Sequence, residues 1–158
     1  MSRYEWLLFL HVAGAALLVS GAVGIVALQA VASRRQRPSE VALFLGLMRV
    51  PEVVGDIGAF AVLGLGIWLV FDVDYSFADG WIVAALVLWV VAAVLTNVAR
   101  SRYRRARALA TRLAQVDDIG TPEFYGQTRS LSSVALLWAL AIVVVTILAL
   151  MMFKPGAG

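Results

Sequence analysis

The 158-residue chain has room for about one domain, yet 62% of its residues are hydrophobic and its mean hydropathy is +0.90. Soluble domains run nearer about 45–50% apolar, so there is too little polar side chain here to enclose a water-soluble globule. The chain has no cysteine, which excludes disulfides, thiolate metal centres and a cysteine nucleophile. The net charge of +3 would raise nucleic acid as a partner in a soluble protein, but here the arginines bear first on topology.

The pattern predicts an all-α polytopic membrane protein, a four-transmembrane-helix bundle forming a single domain over 1–158. Each span needs roughly 20 mostly apolar residues. At the N-terminus, Arg3 and Glu5 lead at once into an apolar run longer than the about 7–15 residues of a signal-peptide core. It lacks a convincing cleavage site, so it is expected to stay as the first span, about 6–31. Ser39 and Glu40 then precede a continuous apolar pattern from Val41, so the second helix is expected to begin before its membrane core at 53–71. Pro51 either kinks that helix or marks its entry into the membrane.

The third span, 81–98, runs on into a basic stretch at 100–115. There Ala106, Leu109, Ala110 and Leu113 are spaced for one apolar stripe of a helix, with arginines around it. Residues 117–127 carry Gly, Pro and two Asp and read as a loop. The fourth span is 131–153.

Arginine placement sets the orientation. Arg34, Arg35, Arg37 and Arg49 flank the first connection, and Arg100, Arg102, Arg104, Arg105, Arg107, Arg112 and Arg129 follow the third span. These belong inside, which makes 99–130 a cytoplasmic basic segment. Only Arg3 and Lys154 remain for the opposite face, whose loop is acidic with Asp72, Asp74 and Asp79. Both termini are therefore expected outside, in a multi-pass protein of the cell (inner) membrane. Tyr4, Trp6, Trp68, Tyr75 and Trp81 suit the outer headgroup boundary, and Tyr103, Phe124 and Tyr125 the inner one. Arg100, Arg102, Arg104, Arg105 and Arg107 read as topology determinants that touch anionic lipid headgroups. A nucleic-acid surface is the disfavoured alternative.

Small residues point to where helices meet. Ala13, Gly14, Ser20, Gly21, Gly24 and Ala27 in the first span, with Gly55, Gly58, Ala59, Gly64 and Gly66 in the second, predict close packing of that pair. The third and fourth spans, with Trp89 and Trp138, are bulkier and suit lipid contact. A homodimer or a larger membrane complex is open on either pair.

Few residues can do chemistry. His11 is the only histidine; its imidazole can bond to a neighbouring helix, or ligate haem iron or copper. Met151 and Met152, at about the same expected depth, are the thioethers that can serve as a second ligand. Asp56 is a carboxylate about one turn inside a span, a costly placement that marks it as a candidate. Arg49 and Glu52 precede it by seven and four residues and share its helix face, so the three form a candidate proton or cation path. There is no phosphate-binding loop, paired-histidine motif or Ser-His-Asp set, which disfavours a hydrolase.

The opening Tyr4-Glu5-Trp6-Leu7-Leu8-Phe9-Leu10-His11-Val12-Ala13-Gly14-Ala15, with the four-span layout and the arginine-rich 100–107, resembles a family of predicted bacterial integral membrane proteins of unknown function. That family is in turn distantly similar to CopD-like copper-resistance and haem-binding membrane proteins, in which histidines on such helices hold haem or copper. By this resemblance His11 matches the first-helix histidine, and haem b or copper is implied as cofactor. Three functions stay open: a haem- or copper-linked protein built on His11, a small transporter or channel component built on Asp56 and Glu52, and a non-catalytic accessory or scaffold subunit.

Overall fold

A computed structural model describes residues 2–73 and 75–153, with side chains for all of these except 131–133. Asp74 and Lys154, both used in the charge argument, lie outside the described residues. Among the described residues all regular structure is helical: α1 (Arg3–Arg34), α2 (Pro38–Leu47), α3 (Arg49–Asp72), α4 (Gly80–Val116), α5 (Pro122–Thr128) and α6 (Leu131–Phe153). Four segments are long and apolar enough to cross a bilayer: α1, Pro38–Asp72 (α2 with α3), α4, and Val134–Phe153 of α6. The first three predicted stretches fall inside these segments, and the fourth, 131–153, coincides with α6.

The chain forms two compact units. The first is built from α1 and α3 with the end of α2. Helix α1 starts on a capping box: Ser2 Oγ accepts from the Glu5 amide at 3.2 Å, and the Glu5 carboxylate accepts from the Ser2 amide at 2.7 Å. Two amides that no helix turn can satisfy are thereby paired. Arg3 forms an ion pair with Asp72, which places the start of α1 beside the end of α3 and makes the two helices antiparallel.

Glycines set how closely they approach. A Cβ added at Gly58 would lie 2.4 Å from the Leu18 amide nitrogen and 2.7 Å from the Gly14 carbonyl oxygen. One added at Gly21 would lie 2.6 Å from the Gly55 backbone. The same register carries Gly14 against Ala61 and Val62, and Gly24 against Pro51. Each turn gained along α1 is matched by a turn lost along α3, from Arg3–Asp72 to Gly24–Pro51, and buried Leu7 and Val70 fall on that line. In a bilayer, where burial of apolar surface drives little, such backbone-to-backbone packing supplies the attraction.

Between α2 and α3 the proline interrupts the helix without ending it. Pro51 has no N–H for the Leu47 carbonyl, and α2 stops at Leu47. Met48 nevertheless keeps right-handed helical angles (φ −58°, ψ −20°), and the Glu52 amide already bonds to its carbonyl at 3.0 Å. The interruption lies within the apolar segment Pro38–Asp72.

The second unit contains the start of α2 (residues 36–42), α4, α5 and α6. Helix α6 packs on α4 while Val134, Trp138, Ile142 and Val145, at helical spacing, stay exposed, an outward apolar stripe suited to lipid. The 37-residue α4 is unbroken through the basic stretch, as its periodicity implies. The expected loop over 117–127 is corrected in part: Pro122–Thr128 is helical. Thr121 caps its start by accepting from the Phe124 amide at 3.3 Å, and Pro122 sits at the first helical position, where a missing N–H costs nothing.

The glycine contacts give a paired prediction. Gly58→Ala forces α1 and α3 apart against backbone atoms and is expected to cost about 1–3 kcal/mol. Gly64→Ala enters open space on the same helix and is expected to stabilise by roughly 0.5–1 kcal/mol. Thermal unfolding in detergent, followed by circular dichroism, separates the two.

Candidate functional site

His11 lies on the α1 face that meets α3, one turn before Gly14, and is buried at 9% exposure. Its ring lies close to the Val62 backbone. Its Cε1–Nδ1 edge faces Gly66: a Cβ there would lie 3.1 Å from Cε1 and 3.5 Å from Nδ1. Gly66 thus clears space for the imidazole. The sequence marks Gly66 only as one of several small residues; its pairing with His11 appears once the antiparallel register is known.

That placement tests the haem or copper expectation. Nδ1 is buried with no hydrogen-bond partner, so it is the ring atom left to bind an ion. It faces the α3 backbone at Gly66. Among the described residues no group of three His, Cys, Asp or Glu comes together as a metal site. Met151 and Met152, the expected thioether partners, are on α6, and Met152 is 80% exposed. Haem or copper linkage through His11 is therefore not supported, and the side chain sits in the seam between two apolar helices.

Arg49, Glu52 and Asp56 occupy one face of the first two turns of α3. Arg49 is exposed, and Glu52 and Asp56 are half-buried. They lie at the end of α3 opposite to Asp72, where α1 ends in Arg34. This end of the first unit is therefore the charged and basic one, with Arg35 stacked over the Phe44 ring at 5.5 Å.

The second unit carries a small folded cap that the sequence does not announce. Phe124 is fully buried, and Val41, Tyr103, Ala106, Ala110 and Thr128 are buried as well. Tyr103 and Phe124, expected as headgroup anchors, are thus core residues. Three segments are tied together around them. Asp118 accepts from the Ser39 amide and from its hydroxyl, each at 2.7 Å. Tyr125 donates its hydroxyl to the Gln36 carbonyl at 3.2 Å, passing over Gly120, where a Cβ would lie 2.5 Å from that hydroxyl. Arg129 covers the Tyr125 ring at 4.9 Å.

Asp118 is the residue that sequence reasoning missed. It ends α4 in the left-handed region (φ 54°), which Asp and Asn tolerate better than most side chains, and its amide donates to the Leu113 carbonyl at 3.0 Å. Its carboxylate sits at the first turn of α2, where amides lack acceptors and the helix dipole favours negative charge. An Asp just past a basic helix is the only local hint; its partner is 79 residues away.

The two hydrogen bonds from Ser39 hold the Asp118 carboxyl below the ordinary carboxylate range. A depressed carboxylate pKa means that the contact stabilises the fold fully above the ordinary value, near about 3.9, and is lost as pH falls through the lowered one. Asp118→Ala is expected to speed hydrogen exchange at the Ser39 amide at neutral pH. Asp118→Asn, which tolerates the backbone and keeps an acceptor, should slow that loss. Acidification of the unmodified protein should reproduce the alanine phenotype.

Comparison with known proteins agrees with this architecture at the level of class. No curated protein and no solved structure matches the chain. The family described as "Predicted integral membrane protein (DUF2269)" matches residues 5–155, nearly the whole chain and all four apolar helices. The protein thus belongs to that family of predicted integral membrane proteins.

Proposed function

We propose that this protein is a multi-pass accessory or scaffold subunit, not a redox or hydrolytic centre, with both termini outside and its arginine-rich end in the cytoplasm. The observation that carries the reading is the position of His11. The one imidazole of the chain is committed to the α1–α3 contact by Val62 and Gly66. A chain whose most reactive side chain serves packing acts through its surfaces, and α6 offers an apolar stripe from Val134 to Val145 for lipid or a partner helix. The orientation is supported by the sequence bias of the basic residues: eleven of the thirteen fall in or beside the first and third connections. The pairing of Arg3 with Asp72 gathers an outer cation and an outer acid at the same end of the first unit.

Absorption spectroscopy with elemental analysis of the purified protein tests the role of His11. The expected result is no Soret band and no stoichiometric copper, with His11→Ala lowering thermal stability by about 1–3 kcal/mol. A Soret band or bound copper that disappears in His11→Ala would sink the accessory reading and restore the metal one.

The absence of cysteine makes the orientation directly measurable. A cysteine introduced at Ser76, in the α3–α4 connection, is expected to react with a membrane-impermeant maleimide on intact cells. One at Ala108, in the basic part of α4, should react only after permeabilisation. The reverse pattern refutes termini-out.

A further inference from the structure

Helix α4 is too long for the membrane it crosses. At 1.5 Å per residue its 37 residues reach about 55 Å, against about 30 Å of hydrocarbon and about 40–45 Å for the bilayer with its headgroups. A crossing of roughly 20 residues that starts at buried Trp81 ends near Arg100. A tilt of about 20° adds only about one residue to it. The helix is unbroken to Val116, so it cannot turn to lie along the surface and must carry its arginines outward at increasing height. Taking Arg100 as the boundary, Arg104 and Arg105 stand about 6–8 Å beyond the hydrocarbon, within the headgroup layer, and Arg112 about 18 Å beyond it.

The rotation of this projection is fixed. Ala99, Tyr103, Ala106 and Ala110 form one buried stripe, continuous with the cap in which Phe124 is buried. Arg104, Arg105 and Arg112 lie on the opposite side and are exposed. Side chains on a helix lean toward its N-terminus, which on this stretch means back toward the bilayer. Arg105 and Arg112, one heptad apart, present equal charge on the same face at heights differing by about 10 Å, more than the about 8 Å screening length of physiological salt.

We propose that Arg104 and Arg105, held outward by the Tyr103–Ala106–Ala110 stripe, form a binding surface for the phosphates of anionic phospholipid headgroups, and that Arg112 takes no part in it. Charge complementarity at headgroup height argues for lipid as the occupant. A soluble polyanion would engage Arg112 as readily as Arg105. The surface exists on whichever side of the membrane α4 projects, so it stands independently of the orientation and of the accessory role.

The test is a titration of phosphatidylglycerol into the full-length protein in zwitterionic detergent, read as the rise in unfolding temperature and compared with phosphatidylcholine. Phosphatidylglycerol is expected to stabilise the unmodified protein more than phosphatidylcholine. Arg105→Gln should raise the phosphatidylglycerol fraction needed for half the effect by about five-fold, the weight of one arginine near an anionic surface. Arg112→Gln should change it by less than about two-fold. Equal unfolding temperatures of the three proteins in detergent alone show that both variants fold. Equal losses in the two variants, an equal response to the two lipids, or an equal response to inorganic phosphate or single-stranded DNA each overturn the proposal.

Discussion

The contact on which the first unit depends is the meeting of α1 and α3 backbones at Gly58 and Gly21. Gly58 stands where any side chain would strike the Leu18 amide and the Gly14 carbonyl, so the distance between the helices is set by the absence of two Cβ atoms. Once that distance is set, the antiparallel register follows in both directions. Arg3 meets Asp72 at one end and Gly24 meets Pro51 at the other. In water a hydrophobic core would share this task; in lipid the close fit of small residues carries it. His11 belongs to the same seam. Its imidazole occupies the space opened by Gly66, which explains how a polar ring is accommodated one turn from Gly14, whose carbonyl meets Gly58.

The second unit solves a different problem. Its membrane-crossing helices α4 and α6 are bulky, and order beyond the bilayer comes from polar closure. Asp118 caps a helix that has no cap of its own, Tyr125 reaches the Gln36 carbonyl, and Phe124 fills the space between. The carboxylate satisfies amides that helix geometry leaves unpaired and places a negative charge where the α2 dipole favours one. With one side of α4 committed to this cap, its arginines are directed to the remaining sides. A basic segment that reads as a diffuse charge cluster in the sequence thereby acquires a face.

Metal chemistry needs several donors to converge, and the first unit commits its one imidazole to helix packing. Among the described residues no group of three His, Cys, Asp or Glu converges as a metal site. The family match speaks to membrane class alone. The acids of α3 keep a different character. Asp56 is half-buried in an apolar helix, with Glu52 one turn before it.

Amino-acid order by itself determined the four membrane-crossing helices, because a bilayer demands about 20 apolar residues and a closed backbone hydrogen-bond ladder wherever a chain passes through it. It also determined that α4 runs on past the membrane, since Ala106 and Ala110 keep helical period among arginines, and that the glycines of the first two spans meet. Only the tertiary structure decided what each small or polar residue does within those helices. That Gly58 faces Leu18, that Gly66 clears His11, and that Asp118 caps Ser39 are contacts between segments far apart in the chain, and no local pattern encodes a partner tens of residues away. Helix α5 lay between these cases. Its Thr121-Pro122-Glu123 start is a legible signal, but seven residues are too few to hold a helix without the core that Phe124 enters.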